Sequence, residues 1–149
     1  MRLVENIHLV GGGPWSGMGL SPGGDCNIYL VDCKDSLVLV DCGTGGAGSV
    51  DAILANIEGD GLSPDRISTI LITHKHGDHI GGAAQFAART GARVYASAET
   101  AAVLAAGDEE ASSITAAKGA GFYPTDYVLA PLAGVQTLAG GEHLKIGDV

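Results

Sequence analysis

The chain has 149 residues, 46% of them apolar, which suits one domain with a real core. Its 8 Lys/Arg against 17 Asp/Glu leave a formal charge of −9, which argues against a polyanion-binding surface and so against nucleic acid as a partner. No run approaches the ~20 uninterrupted apolar residues of a membrane span, and 24 glycines imply many tight turns and close backbone approaches.

The N-terminal MRLVENIHLV lacks the long apolar stretch of a secretory leader. Asn6–Val10 is a short strand-like run closed by Gly11-Gly12-Gly13-Pro14, and a Gly/Ser/Pro-rich loop continues to Asp25. Cys26–Val31 and Leu37–Val40 read as a strand hairpin turning at Lys34-Asp35-Ser36, with Asp41-Cys42-Gly43 ending the second strand. Val50, Ile53, Leu54 and Ile57 then fall at helical spacing, which predicts a helix over Ser49–Ile57 with Ser49 as N-cap. Ile67–Ile72 is an apolar run of strand length.

Further on, Gly81–Thr90 reads as a helix stopped by Gly91, Arg93–Ala96 as a strand, and Ala98–Ala106 as a helix capped by Ser97. Asp108–Lys118 is expected to be helical, with Asp108-Glu109-Glu110 favoured by the dipole at its start. Phe122-Tyr123-Pro124 opens an irregular stretch, and Gly140–Ile146 reads as a turn and short strand. The order favours one α/β domain, a mixed sheet with helices packed on it. Three cysteines, Cys26, Cys33 and Cys42, cannot all pair within the chain and form no CxxC. Reduced thiols in a soluble, cytoplasmic protein are the expectation.

Between the strand ending at Ile72 and the helix from Gly81 lies His74-x-His76-x-Asp78-His79, three of the chain's five histidines. His74 and His76, two residues apart at a strand end, can point the same way and share one ion. Asp78 and His79 sit where the chain turns into the helix and would serve a second ion. Gly77 frees that turn, and Gly81-Gly82 lets the helix start close against neighbouring backbone. Burying three imidazoles and a carboxylate without partners would cost several kcal/mol, so a metal is the economical reading. A zinc ion with few protein ligands keeps a water and lowers its pKa towards ~7.

Thr73–Gly82 resembles the THxHxDHxGG signature of the metallo-β-lactamase superfamily, and CNIYLV…LVLVDCG resembles that family's NxYL and DxG landmarks. The resemblance implies an α/β fold, the αββα four-layer sandwich, of which this chain would hold the N-terminal half. It implies two zinc ions, with iron or manganese as alternatives. His74 and His76 would hold the first and Asp78 and His79 the second, with Asp78 also orienting the attacking hydroxide. Asp41 is similar to the family's strand-end aspartate and would support the histidine loop from outside the ligand set, as a carboxylate beside an imidazole can. The family's third histidine for the first ion lies in a later GHTPG-like segment, followed by a bridging aspartate and a last histidine. Nothing after His79 supplies them, and GGEHLKIGDV resembles the strand preceding that segment. The expectation is one domain, 1–149, truncated at its C-terminus.

The activity implied is hydrolysis of an ester, thioester or amide in a small molecule, as in hydroxyacylglutathione hydrolases. Iron chemistry on the same ligands, as in sulfur dioxygenases or diiron oxygen reductases, is the alternative, and an inactive fragment that binds metal weakly is the third. Oligomeric state is left open. Among weaker signals, Trp15 is read as anchoring its loop by packing, with substrate contact as the alternative. Cys42 is read as a small buried hydrophobe rather than a thiolate ligand, and His8 as structural. Phe122-Tyr123 is either a pocket lid or core, and His143 is read as no ligand because no motif surrounds it.

Overall fold

Seven strands among the described residues form one sheet whose spatial order follows the chain. The computed structural model describes residues 1–147. Strands β1 (Arg2–Val4), β2 (Ile7–Gly11), β3 (Ile28–Asp32) and β4 (Leu37–Val40) pair antiparallel. From β4 onward, β5 (Ile67–Leu71), β6 (Arg93–Ala96) and β7 (Gln136–Thr137) pair parallel. Every parallel step needs a crossover, and helices fill each one. These are α1 (Ser49–Gly59), then α2 (Gly77–Ile80) with α3 (Ala83–Thr90), then α4 (Ala98–Ala106) with α5 (Ile114–Gly119).

Alternation along β4 divides the sheet's faces. Leu37 and Leu39 are fully buried in one core with Val10, Ile28, Leu30 and Ile70, against Ile53 and Ile57 of α1, Phe86 of α3 and Leu104 of α4. Val38 and Val40 turn the other way. With Val31, Cys33 and Leu71 they line a cavity of about 390 Å³, over which Leu138, His143, Leu144 and Ile146 lie. The helices thus form a single layer on one face, and the 138–146 segment lies over the other.

Most expected elements are present, and the differences have local causes. Strand β1 was not anticipated because its three residues are all exposed and carry no apolar pattern. Ser49 is not the N-cap of α1. Gly48 takes that position in a left-handed conformation (φ 77°), while the Ser49 hydroxyl donates to Asp25 Oδ2 at 2.8 Å. The expected helix over Gly81–Thr90 starts earlier and in two pieces, because α2 already begins after His76 and the Gly82 N–H leaves the helical ladder for Gly43 O at 3.2 Å before α3. The expected helix from Asp108 begins only at Ile114. Asp108 Oδ1 instead accepts from the N–H groups of Glu110 and Ala111, and Ser113 is left-handed (φ 64°), a side-chain turn that competes with helix. Ser97 does cap α4, accepting from Thr100 N–H at 3.2 Å. No strand forms over Gly140–Ile146. That stretch contributes to the cover over the sheet face, and the edge is taken by the two residues of β7.

Candidate metal centre

Asp41 is the hub. It ends β4 with a positive φ of 64°, a conformation that asparagine and aspartate tolerate best among residues with a Cβ. Its side chain is only 5% exposed. Oδ1 accepts from Thr73 N–H at 2.9 Å, and Oδ2 accepts from the Thr73 hydroxyl and His79 Nδ1, both at 2.8 Å. The ends of two adjacent parallel strands are thereby tied together through one carboxylate.

This network sets the histidine tautomers. The Thr73 hydroxyl has one proton, and it goes to the Asp41 carboxylate. Its oxygen, 3.0 Å from His74 Nδ1, therefore accepts from that nitrogen. Nδ1 of both His74 and His79 is then a donor, and in each ring's neutral form Nε2 keeps its lone pair. Burial and the neighbouring imidazoles His79 and His76 push the His74 pKa down, which favours its neutral form. For His79, burial alone would lower the pKa, but the Asp41 hydrogen bond and the charges of Asp41 and Asp78 raise it.

The four residues expected as ligands neighbour one another in pairs along the loop, while the three donor atoms that lie within 4.8 Å of one another belong to Cys26, Asp41 and His79. The His74 and His76 rings meet edge to face with centroids 4.7 Å apart, and the His74 and His79 rings lie 3.9 Å apart. His79 Nε2 is 3.4 Å from Asp78 Oδ2. Asp78 is 41% exposed where Asp41 is 5%, so one carboxylate faces solvent and the other supports from beneath. Backbone packing holds the loop. Cys42 N–H donates to His79 O at 2.8 Å, and Gly77 N–H to Ser112 O at 3.0 Å. A Cβ at Gly81 would stand 2.0 Å from Thr44 O, and one at Gly82 2.3 Å from Cys42 O. Asp25, buried, fixes the chain just past Asp41 by accepting from Thr44 N–H and Oγ1, each at 2.7 Å.

His143 stands apart, lining the cavity on the opposite sheet face with Val38 and Leu71. His8 is structural: buried, with Nδ1 2.7 Å from Asp60 Oδ2. Cys42 is fully buried among apolar side chains. Trp15 packs across its own loop onto Gly24, where a Cβ would stand 3.0 Å from the indole ring. It is 64% exposed, edge-on to Phe122 at 4.8 Å, and the loop is held by backbone bonds such as Leu20 N–H to Gly12 O at 2.8 Å.

Thr73, Cys26 and Tyr127 make contributions that the sequence does not signal, while Phe122-Tyr123, expected as lid or core, walls a cleft with Tyr123 packed on the core. Thr73 was quoted only as part of the motif, yet it links Asp41 to His74. Cys26 lies against Asp41 and His79, with its sulfur within 4.8 Å of a donor atom on each. Tyr123 and Tyr127 pack edge to face at 4.8 Å and wall a cleft of about 160 Å³ with Pro22, Thr44 and Phe122. Tyr127 donates to Thr44 O at 2.8 Å, whereas the buried Tyr123 hydroxyl has no partner among the described residues. No local pattern in the sequence signals contacts between such distant positions.

Residues 21–147 match the family described as "Metallo-beta-lactamase superfamily". The chain is 37% identical over 79 residues to a hydroxyacylglutathione hydrolase of Serratia proteamaculans, covering 52% of this chain and 28% of that protein. It is 33% identical over 81 residues to the exodeoxyribonuclease WalJ of Streptococcus pneumoniae, covering 54% and 29%. The structure of BJP-1, a subclass B3 metallo-beta-lactamase of Bradyrhizobium japonicum, aligns with a TM-score of 0.74 at 25% identity, covering 99% of this chain and 48% of that one. The chain thus spans less than a third of these two relatives and about half of that structure.

Proposed function

The chain belongs to the metallo-β-lactamase superfamily, and from that premise we propose that it carries the N-terminal part of the active site of a zinc-dependent hydrolase. The substrate is an ester, thioester or amide of a small molecule. One observation carries the reading: the rings of His74, His76 and His79 and the Asp78 carboxylate neighbour one another in pairs on one loop, while Asp41 and Thr73 engage Nδ1 of His79 and of His74.

The donor set fits zinc. Neutral imidazole nitrogens with a carboxylate are its usual partners, and the described loop presents them within six residues. His74 and His76 would hold one ion, and Asp78 and His79 a second. Bound there, the ions supply Lewis acidity and a coordinated water of lowered pKa. The protein's own part is orientation. Asp41 holds the His79 ring and stabilises its donor lone pair, Thr73 does the same for His74, and Asp78 accepts a hydrogen bond from the attacking water. The similarity to a hydroxyacylglutathione hydrolase supports thioester cleavage as the first substrate class to assay. All three cysteines are free, which fits a reducing, cytoplasmic setting.

The similarity to WalJ favours a second reading, hydrolysis of a DNA phosphodiester. The charge of −9 weighs against it. The full gene product and its His76→Ala variant separate these readings when assayed on a thioester and on DNA ends, with bound metal quantified. Thioester turnover with zinc, lost in the variant, is the expected result. DNA cleavage alone would establish the second reading, and iron with oxygen consumption would overturn both.

A further inference from the structure

With 17 Asp/Glu for its 8 Lys/Arg, this chain has acid to spare, and a cation without a carboxylate is unexpected. Arg66, Lys75, Arg89 and Lys118 each pair with one. Arg93 and Lys145 pair with none among the described residues, yet both line one cavity of about 200 Å³. Two like charges brought to one cavity repel unless something negative lies between them.

The fold brings these groups in from several segments. Arg93 and Tyr95 alternate along β6 with Val94 and Ala96, which are in the core, so both project from the sheet face opposite the helices. Arg93 is in register with Thr69 of β5. Lys145 comes from the chain's own 138–146 cover, and the hydroxyl residues Ser36, Ser68, Thr69 and Tyr95 complete the polar lining. Thr69 is buried, and its Oγ1 meets only Ser68 Oγ among the described residues, at 3.5 Å. That contact uses one of the two hydroxyl protons, which leaves the other to donate elsewhere. The cavity lies where β4, β5 and β6 begin, whereas the histidine loop follows the end of β5. The two sites are therefore separate, and neither reading depends on the other.

We propose that this cavity binds a single phosphate group, as the free ion or as the monoester of a small molecule. The guanidinium of Arg93 meets two phosphate oxygens at once, Lys145 adds a point charge, and the hydroxyls donate to the oxygens that remain. A phosphate dianion balances both cations, whereas a carboxylate balances only one and has fewer oxygens for the donors. The chain's negative charge opposes a long polyanion, but a single group held between two cations is screened from most of it. Phosphate bridging Arg93 and Lys145 also ties the cover to β6, so binding holds the cover against the sheet.

Calorimetric titration of the metal-stripped 149-residue chain with inorganic phosphate, glycerol phosphate and acetate tests this at about pH 8, where the phosphate is a dianion. One equivalent of phosphate is expected to bind, at least about tenfold more tightly than acetate. Tighter binding of inorganic phosphate identifies the free ion as the occupant, and tighter binding of glycerol phosphate identifies the monoester. Arg93 and Lys145 are exposed, so neutral side chains there leave folding intact. Arg93→Gln and Lys145→Gln are each expected to weaken phosphate at least about tenfold, while His76→Ala binds it as the unaltered chain does. Amide exchange in residues 142–147 should slow with phosphate in the unaltered chain and not in Arg93→Gln. Absence of saturable phosphate binding, equal affinity for acetate, or binding undiminished in both Gln variants would overturn the proposal. So would binding lost in His76→Ala and kept in Arg93→Gln, which would move the anion to the histidine loop.

Discussion

Asp41 holds His79 through a 2.8 Å bond from Oδ2 to Nδ1, and it does so from a left-handed backbone conformation at the end of β4. Charge and conformation can be separated by substitution. Asp41→Asn tolerates the positive φ and can still accept from the Thr73 N–H, but it loses the charge and the oxygen that accepts from His79 Nδ1 and the Thr73 hydroxyl. Zinc affinity is expected to fall about 10–100-fold, with a smaller drop in thermal midpoint than in Asp41→Ala. Asp41→Ala should also melt lower, since a Cβ without a compensating polar group costs about 1–2 kcal/mol in this conformation. Chelator competition and thermal melts give the two readouts. Undiminished zinc binding in Asp41→Asn would remove Asp41 from the centre.

Two glycines should respond with opposite signs. A Cβ at Gly81 would meet the Thr44 carbonyl at 2.0 Å, while nothing lies within 4 Å of one at Gly59 in the last turn of α1. Gly81→Ala is expected to destabilise by about 1–3 kcal/mol, and Gly59→Ala to gain up to about 0.5–1 kcal/mol. Urea titrations of both variants are sufficient, and equal midpoints would contradict the close approach at Gly81.

The paired tyrosines make a similar contrast. Tyr127→Phe gives up the bond to Thr44 O and should cost about 0.5–1.5 kcal/mol. Tyr123→Phe removes a hydroxyl that has no partner among the described residues, so the metal-free chain should be unchanged or slightly more stable. A loss in the metal-free chain equal to that of Tyr127→Phe would show that the hydroxyl is already satisfied.

Acid should act through Asp60, remote from the loop. Burial alone would raise its pKa, but the N-terminal ammonium at 2.8 Å and His8 at 2.7 Å outweigh this and hold it below its ordinary 3.8. A depressed carboxyl stabilises the fold above its unfolded pKa, and that contribution is lost as pH falls through the lower folded value. Urea midpoints followed from about pH 5 to about pH 2 should decline less steeply in Asp60→Asn than in the parent. Parallel curves would exclude Asp60 from the acid response.

Short-range pattern carried a good part of this molecule. Leu37–Val40, Arg93–Ala96 and the Ser97-capped Ala98–Ala106 stand where periodicity and capping placed them, because each is governed by residues a few positions apart. The histidine loop was legible for the same reason, its donors lying within six residues. What escaped depends on distant partners. Ser49 looks like a cap until Asp25 takes its hydroxyl, and Cys26 reads as an ordinary strand thiol until Asp41 and His79 fold against it.

The sheet's two outermost strands, Arg2–Val4 and Gln136–Thr137, are three and two residues long. Unpaired edges of that length offer an incoming chain only a few backbone hydrogen bonds, too few to hold an added strand in register. Growth of the sheet from molecule to molecule is thereby disfavoured from both sides. Contact between copies is left to side chains, whose sequence can be tuned without disturbing the strand order that sets Asp41 beside the histidines.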